Sequence, residues 1–179
     1  MTFLLISTCE NKLSELEFVL PISRLIPNSN YKILHYAVCS KKILNEYEKI
    51  IICGTSLKDT SYLNKLDYFK NLFSTYEGPV LGICSGMQII GSIFGSRIIK
   101  NVEIGMVNIQ TLLVNPICKG NFQAYSLHNN SIENNQNFEI IAESKGCVQV
   151  LKHKRRNIWG VSFHPEVRNE TVISNFIKL

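Results

Sequence analysis

Apolar residues follow two different rhythms along this chain, and the change comes at Gly95. Before it, short apolar runs alternate with stretches in which leucines and aromatics recur every three or four residues. The runs Met1 to Ser7, Tyr31 to Val38, Lys49 to Cys53 and Val80 to Leu81 predict four strands. Between them, Asn11 to Leu25 carries a helical pattern broken at Pro21, Lys41 to Tyr47 predicts a short helix, and Ser61 to Tyr76 an amphipathic one. Met87 to Phe94 is apolar at helical spacing and stops at Gly95. This βαβα order predicts an α/β fold with a parallel sheet, helices on both faces, and a site at the carboxyl ends of the strands.

After Gly95 the pattern shortens. Residues 97–99, 106–114, 122–126 and 138–142 read as short strands. Cys147 to Leu151 and Asn157 to Phe163 flank the basic run Lys152 to Arg156 as a hairpin, and a last helix is expected over Glu170 to Lys178. The asparagine-rich stretch Asn129 to Asn137 reads as an exposed loop. With no repeat, low-complexity tract or linker, residues 1–179 are expected to form one domain.

Composition narrows the classes. An apolar content of 45% and a charged content of 18% describe an ordinary globular protein. No apolar run approaches the roughly 18 residues that span a bilayer, and the first residues lack the positive start of a secretory signal. The six cysteines have no paired metal-ligand spacing, so reduced thiols in a cytoplasmic protein are the simplest account. A net charge of +5 is modest and calls for no nucleic-acid partner.

The chemistry concentrates in two places. Gly82-Ile83-Cys84-Ser85-Gly86-Met87-Gln88 puts a cysteine on a strand-to-helix turn with glycine two residues to either side. That is the arrangement of a nucleophile elbow, with sulfur in place of oxygen. A helix start aims free N–H groups and a partial positive charge at the sulfur, favouring thiolate. Near the C-terminus, Gly160-Val161-Ser162-Phe163-His164-Pro165-Glu166 runs from a buried strand into a proline-stiffened segment. In an extended chain His164 and Glu166 share a face, so a base and the group that orients it can reach one site.

Taken together, Gly-Ile-Cys-Ser-Gly-Met-Gln and Gly-Val-Ser-Phe-His-Pro-Glu-Val resemble the motifs of the class I, triad-type glutamine amidotransferases. The resemblance covers nearly the whole chain. Ile117 to Gly120, Leu127 to Ile132 and the final Phe-His-Pro-Glu-Val are most similar to the glutaminase subunit of archaeal-type GMP synthase. It implies a flavodoxin-like, mostly parallel open sheet with a small antiparallel section. It also implies Cys84, His164 and Glu166 as catalytic triad, and hydrolysis of L-glutamine through a γ-glutamyl thioester without metal or organic cofactor. Ammonia would pass to a partner synthase, ATP-dependent and acting as an XMP aminase.

By the same resemblance, Gly54 and Ser85 supply the oxyanion-hole N–H groups, while Gln88 and the backbone of Asn129 and Asn130 hold the substrate's amino-acid end. Two places depart from the family. Cys53-Gly54-Thr55 stands where a Gly-Gly-Pro turn is usual, and Leu127 and Asn130 replace the serine and aspartate of a Ser-His-x-Asp segment. A stand-alone γ-glutamyl peptide hydrolase and a non-catalytic regulatory homologue are the alternatives. Of the remaining candidates, His35 reads as a core or edge histidine, His153 as part of a solvated turn, and His128 as a residue standing behind the reacting groups. Cys9, Cys39, Cys118 and Cys147, without a base or ligand nearby in sequence, read as small hydrophobes.

Overall fold

The computed structural model describes residues 1–179. Its strands are β1 (Phe3–Ser7), β2 (Tyr31–His35), β3 (Lys49–Ile52), β4 (Val80–Ile83), β5 (Ile98–Thr111), β6 (Phe122–Ile132), β7 (Phe138–Ser144), β8 (Cys147–His153) and β9 (Ile158–Val161). Its α-helices are α1 (Glu15–Phe18), α2 (Leu20–Ser23), α3 (Lys41–Leu44), α4 (Leu66–Leu72), α5 (Ser85–Ile93) and α6 (Thr171–Lys178). The sheet order is β2-β1-β3-β4-β9-β8-β7-β5-β6. β2, β1, β3, β4 and β9 are parallel, and every pairing from β9 to β6 is antiparallel. The predicted α/β sheet with a β-rich extension is therefore present.

Strand periodicity divides the core in two. Phe3, Leu5, Ile51, Leu81, Ile83, Trp159 and Val161 face α1, α2 and α6, whose Phe18, Ile22, Ile173 and Phe176 complete one cluster. Their neighbours Leu4, Ile6, Ile50, Ile52, Val80 and Ile158 face α3, α4 and α5. β1, β3, β4 and β9 are thus buried on both sides, which is why these strands read as unbroken apolar runs, while β2 at the sheet edge is only partly buried. Lys49, the one cation of the central strands, donates from Nζ to the carbonyl of Ile177 at 2.7 Å and so closes the C-terminal end of α6. No helix is long and apolar enough to cross a membrane.

Several boundaries differ from expectation for identifiable reasons. The helical pattern over Asn11 to Leu25 splits into a 3-10 turn, α1 and α2, with Pro21 in the first turn of α2, where its missing N–H is not needed. The second strand ends at His35, whose Nδ1 accepts from the N–H of Ala37 at 3.3 Å and caps a 3-10 turn. Residues 97–99 and 106–114 do not form separate strands. A register shift between Lys100 and Glu103 lets β5 run continuously.

The largest correction falls on Asn129 to Asn137. Asn129, Asn130, Ser131 and Ile132 are the end of β6, the last three paired with β5, and Ser131 and Ile132 are buried. Farther on, the side-chain amides of Asn135 and Asn137 donate to the carbonyl of Phe94 at 3.0 and 2.9 Å, closing the end of α5. The hairpin around Lys152 to Arg156 is present, but His153 is not solvated. It is buried between Phe94 and Phe138, and its Nδ1 accepts from the N–H groups of Arg155 and Arg156. Only Lys154 and Arg155 of the basic run are exposed.

Candidate active site

The turn from β4 into α5 is tight. Cys84 has φ 51° and ψ −105°, a region that a side chain enters at roughly 1–3 kcal/mol. Its N–H is tied to the carbonyl of Val161 on β9 at 2.8 Å, so the parallel ladder fixes the strained residue. A Cβ on Gly82 would overlap the carbonyl of Gly86, and one on Gly86 would overlap that of Ile52. The two flanking glycines therefore let helix and strand approach closely enough to hold Cys84 at the mouth of the sheet.

His164 follows β9, whose parallel neighbour is β4, and this pairing brings the two motifs together. Its N–H donates to the carbonyl of Tyr125 on β6 at 2.8 Å, and its ring packs on Phe18 at 5.4 Å between centroids. Nδ1 lies 2.8 Å from Oε1 of Glu166. Because a carboxylate only accepts, Nδ1 carries the proton and Nε2 is the nitrogen left for the thiol. Nε2 has no hydrogen-bond partner, and the thiol lies 3.6 Å from the carbonyl of Leu127. Burial alone would lower the pKa of His164. The neighbouring sulfur of Cys84 and then the carboxylate of Glu166 outweigh it and hold the imidazole well above the usual histidine value.

The loop after β3 meets this pair. Gly54 is so close that a Cβ there would stand 2.8 Å from Cε1 of His164. The hydroxyls of Ser85 and Thr8 lie 2.9 Å apart, and both donate to the carbonyl of Cys53, at 3.3 and 3.1 Å. This fixes the Cys53–Gly54 turn against the first residue of α5. Neither the Gly54 nor the Ser85 N–H has an acceptor within the protein. Thr55 donates to the carboxylate of Asp59, which also accepts from the N–H of Glu10 at 3.1 Å. Hydrogen bonds thus stiffen the turn from Cys53 to Thr55.

Beyond the thiol a cleft is lined by Tyr62, Gln88, Leu127, His128, Asn129 and Asn130, together with the Thr55 loop. Gln88 bridges it. Its Oε1 accepts from the hydroxyl of Tyr62 at 2.6 Å and its Nε2 donates to the carbonyl of Asn130 at 2.9 Å. Burial raises the Tyr62 phenol above its ordinary pKa, keeping it a donor. Asn129 reaches across the cleft to the carbonyl of Leu57 at 3.3 Å. Thr8, Tyr62 and Asp59 carry no sequence signal of this role, because nothing near them in the chain marks their partners.

A sequence profile described as "Glutamine amidotransferase class-I" matches residues 23–178. The chain belongs to the class I glutamine amidotransferases. Among individual relatives, a glutamine-hydrolyzing GMP synthase subunit from Pyrococcus abyssi is 31% identical over 168 residues, covering 88% of this chain and 85% of that one. The protein of the same description from Picrophilus torridus is 34% identical over 147 residues, covering 76% and 78%. Among solved structures, one described as a GMP synthase subunit from Thermoplasma acidophilum superposes with a TM-score of 0.86 at 23% identity, covering 99% of this chain and 93% of that one.

As an amidotransferase, this chain brings Cys84, Ser85, Gln88, Asn129 and Asn130 around one cleft, with His164 and Glu166 directly behind the sulfur and Gly54 beside both. Cys9, Cys39 and Cys118 are buried thiols, as a hydrophobic role requires. Cys147 is different. Although no candidate partner is near it in sequence, the fold places it beside His128 and Glu103.

Proposed function

We propose that this chain is the ammonia-producing component of a GMP synthase, hydrolysing L-glutamine at Cys84 and handing ammonia to an ATP-dependent enzyme that aminates XMP. The observation that carries the reading is the strained Cys84 elbow, which lines the cleft and has the buried His164–Glu166 pair next to it. The Cys84 thiol gives its proton to Nε2 of His164 and its sulfur attacks the side-chain amide carbon of glutamine, whose oxygen takes up negative charge facing the N–H groups of Gly54 and Ser85. His164 gives its Nε2 proton to the departing nitrogen, so ammonia leaves and a γ-glutamyl thioester remains. Nε2, now unprotonated, takes a proton from water as the water attacks the thioester. Glutamate leaves, and sulfur and imidazole return to their starting states. Glu166 orients the ring and stabilises its charged form.

The cleft's far end suits the amino-acid group of the substrate. Gln88, Asn129 and Asn130 offer amides and backbone groups there, with Tyr62 holding Gln88 in place. The similarity of this chain to GMP synthase subunits supports the choice of partner. Glutamine hydrolysis is measured with and without an XMP aminase, its ATP and XMP. Stimulation by the complete mixture, lost in Cys84→Ala, is the expected result. Full activity of the isolated chain, unaffected by any synthase, would instead favour a stand-alone hydrolase.

A further inference from the structure

Behind the wall of the glutamine cleft, three strands bring together a carboxylate, an imidazole and a thiol that the hydrolysis does not use. Glu103 on β5, His128 on β6 and Cys147 at the start of β8 place one oxygen, one nitrogen and one sulfur all within 4.8 Å of one another. Glu103 and His128 face each other directly across the β5–β6 ladder. The side chain of His128 is 1% exposed and that of Glu103 16%, so the imidazole is enclosed and the cluster reaches solvent through the carboxylate.

Each of the three is held by a neighbour. Nδ1 of His128 lies 3.1 Å from the carbonyl of Asn101, which can only accept, so Nδ1 carries a proton and Nε2 points into the cluster. That Nε2 is buried and has no hydrogen-bond partner. Glu103 accepts at Oε1 from Ser144 and at Oε2 from the amide of Gln149, both at 2.6 Å. The Cys147 sulfur lies 3.0 Å from the hydroxyl of Ser131. A backbone carbonyl on the second ring nitrogen and donors on the carboxylate are the outer partners that orient ligands at metal centres.

We propose that Glu103, His128 and Cys147 form a site for a zinc-class divalent cation, with water as the fourth ligand. Bonds of about 2.0–2.2 Å from a tetrahedral zinc put its nitrogen and oxygen ligands roughly 3.3–3.5 Å apart. Nε2 of His128 and Oε2 of Glu103 are 3.3 Å apart. A thiolate and an imidazole exclude calcium and magnesium, which take oxygen ligands, and suit zinc. Thiolate and carboxylate together neutralise the ion, which removes the main penalty of placing it in a closed site. The bound cation would tie β5, β6 and β8 together behind the residues that wall the cleft.

The test uses the full chain, stripped with a chelator under reducing conditions and titrated with Zn2+ by calorimetry and with Co2+ by absorbance. Cobalt bound to a thiolate gives a charge-transfer band, so the ligand is identified spectroscopically and without reference to glutamine hydrolysis. One equivalent bound, with Kd of about 1 μM or tighter and a rise in melting temperature, is expected. The band should survive Cys84→Ser and vanish in Cys147→Ser. Glu103→Gln, which preserves the shape of the residue, should weaken binding at least tenfold and guards against a Cys147→Ser chain that does not fold. Absence of stoichiometric binding overturns the site, as does a band lost in Cys84→Ser and kept in Cys147→Ser.

Discussion

A methyl group on Gly54 would stand 2.8 Å from Cε1 of His164 and 3.4 Å from Cβ of Cys84. The first distance is well inside van der Waals contact, and the imidazole is fixed on its other side by Phe18 and Glu166. Gly54→Ala must therefore shift either the ring or the loop. A displacement approaching 1 Å in such a constellation lowers kcat by about 100-fold. Steady-state glutamine hydrolysis checks this, with a thermal melt to establish that the variant folds. Undiminished kcat would mean that Gly54 does not stand against the working histidine.

Glu166 is tested by a change of almost no volume. In Glu166→Gln the residue still reaches Nδ1 of His164, but an amide can turn its NH2 toward the ring and stabilise the tautomer with the proton on Nε2. A drop in kcat of about 10³–10⁴ is expected, by analogy with the loss of the orienting carboxylate in serine proteases. The KM for glutamine should change far less, because Glu166 is buried behind the ring and away from the cleft.

The raised pKa of His164 depends first on Cys84 and then on Glu166, against burial. Removing the sulfur in Cys84→Ala should therefore lower the His164 pKa, which NMR of the imidazole can follow. The linkage has a definite sign. A histidine whose folded pKa is raised contributes stability that is complete below its unfolded pKa, about 6.5, and is lost as pH rises through the folded value. Wild type should thus lose its stability advantage over Cys84→Ala as pH rises through the His164 titration. A His164 pKa unchanged by Cys84→Ala would separate the two side chains electrostatically.

The elbow and the His-Pro-Glu segment were legible because their geometry is local. Seven residues determine each, and the period of a strand or the start of a helix fixes where the side chains go. Their meeting was less local, since it depends on β9 returning beside β4. Most of the first half of the fold was readable because β1, β3 and β4 are buried on both faces, which leaves unbroken apolar runs. Beyond Gly95 partners in space outweigh propensity. Asn129 and Asn130 belong to a residue type depleted in strands, yet the pairing of Asn130 and His128 with β5 holds both in the strand. His153 sits among cations, but the alternation of β8 turns it inward between two phenylalanines. Glu103, His128 and Cys147 are separated by 25 and 19 residues, so no spacing rule could unite them; the register of β5 with β6 sets Glu103 opposite His128, and the fold brings Cys147 of β8 to that pair.

Val102, Ile104 and Met106 alternate along β5 and are 53%, 61% and 48% exposed, a row of apolar side chains facing solvent. Ile104 lies opposite Leu127 in the ladder, and the Leu127 carbonyl is the group that meets the Cys84 sulfur. The row therefore begins at the cleft from which ammonia must leave. An ammonia-accepting partner gains most by docking there, because it can cover the apolar row and the cleft mouth in one interface. Removing a fully buried isoleucine from such an interface costs roughly 1.5–3 kcal/mol, and a charge in its place costs more. Ile104→Glu should thus leave the turnover of the isolated chain unchanged while raising the synthase concentration needed for half-maximal stimulation more than tenfold. Lys154→Glu, on the hairpin's exposed tip, serves as a control for charge alone. Equal stimulation of wild type and Ile104→Glu would place the synthase on another face.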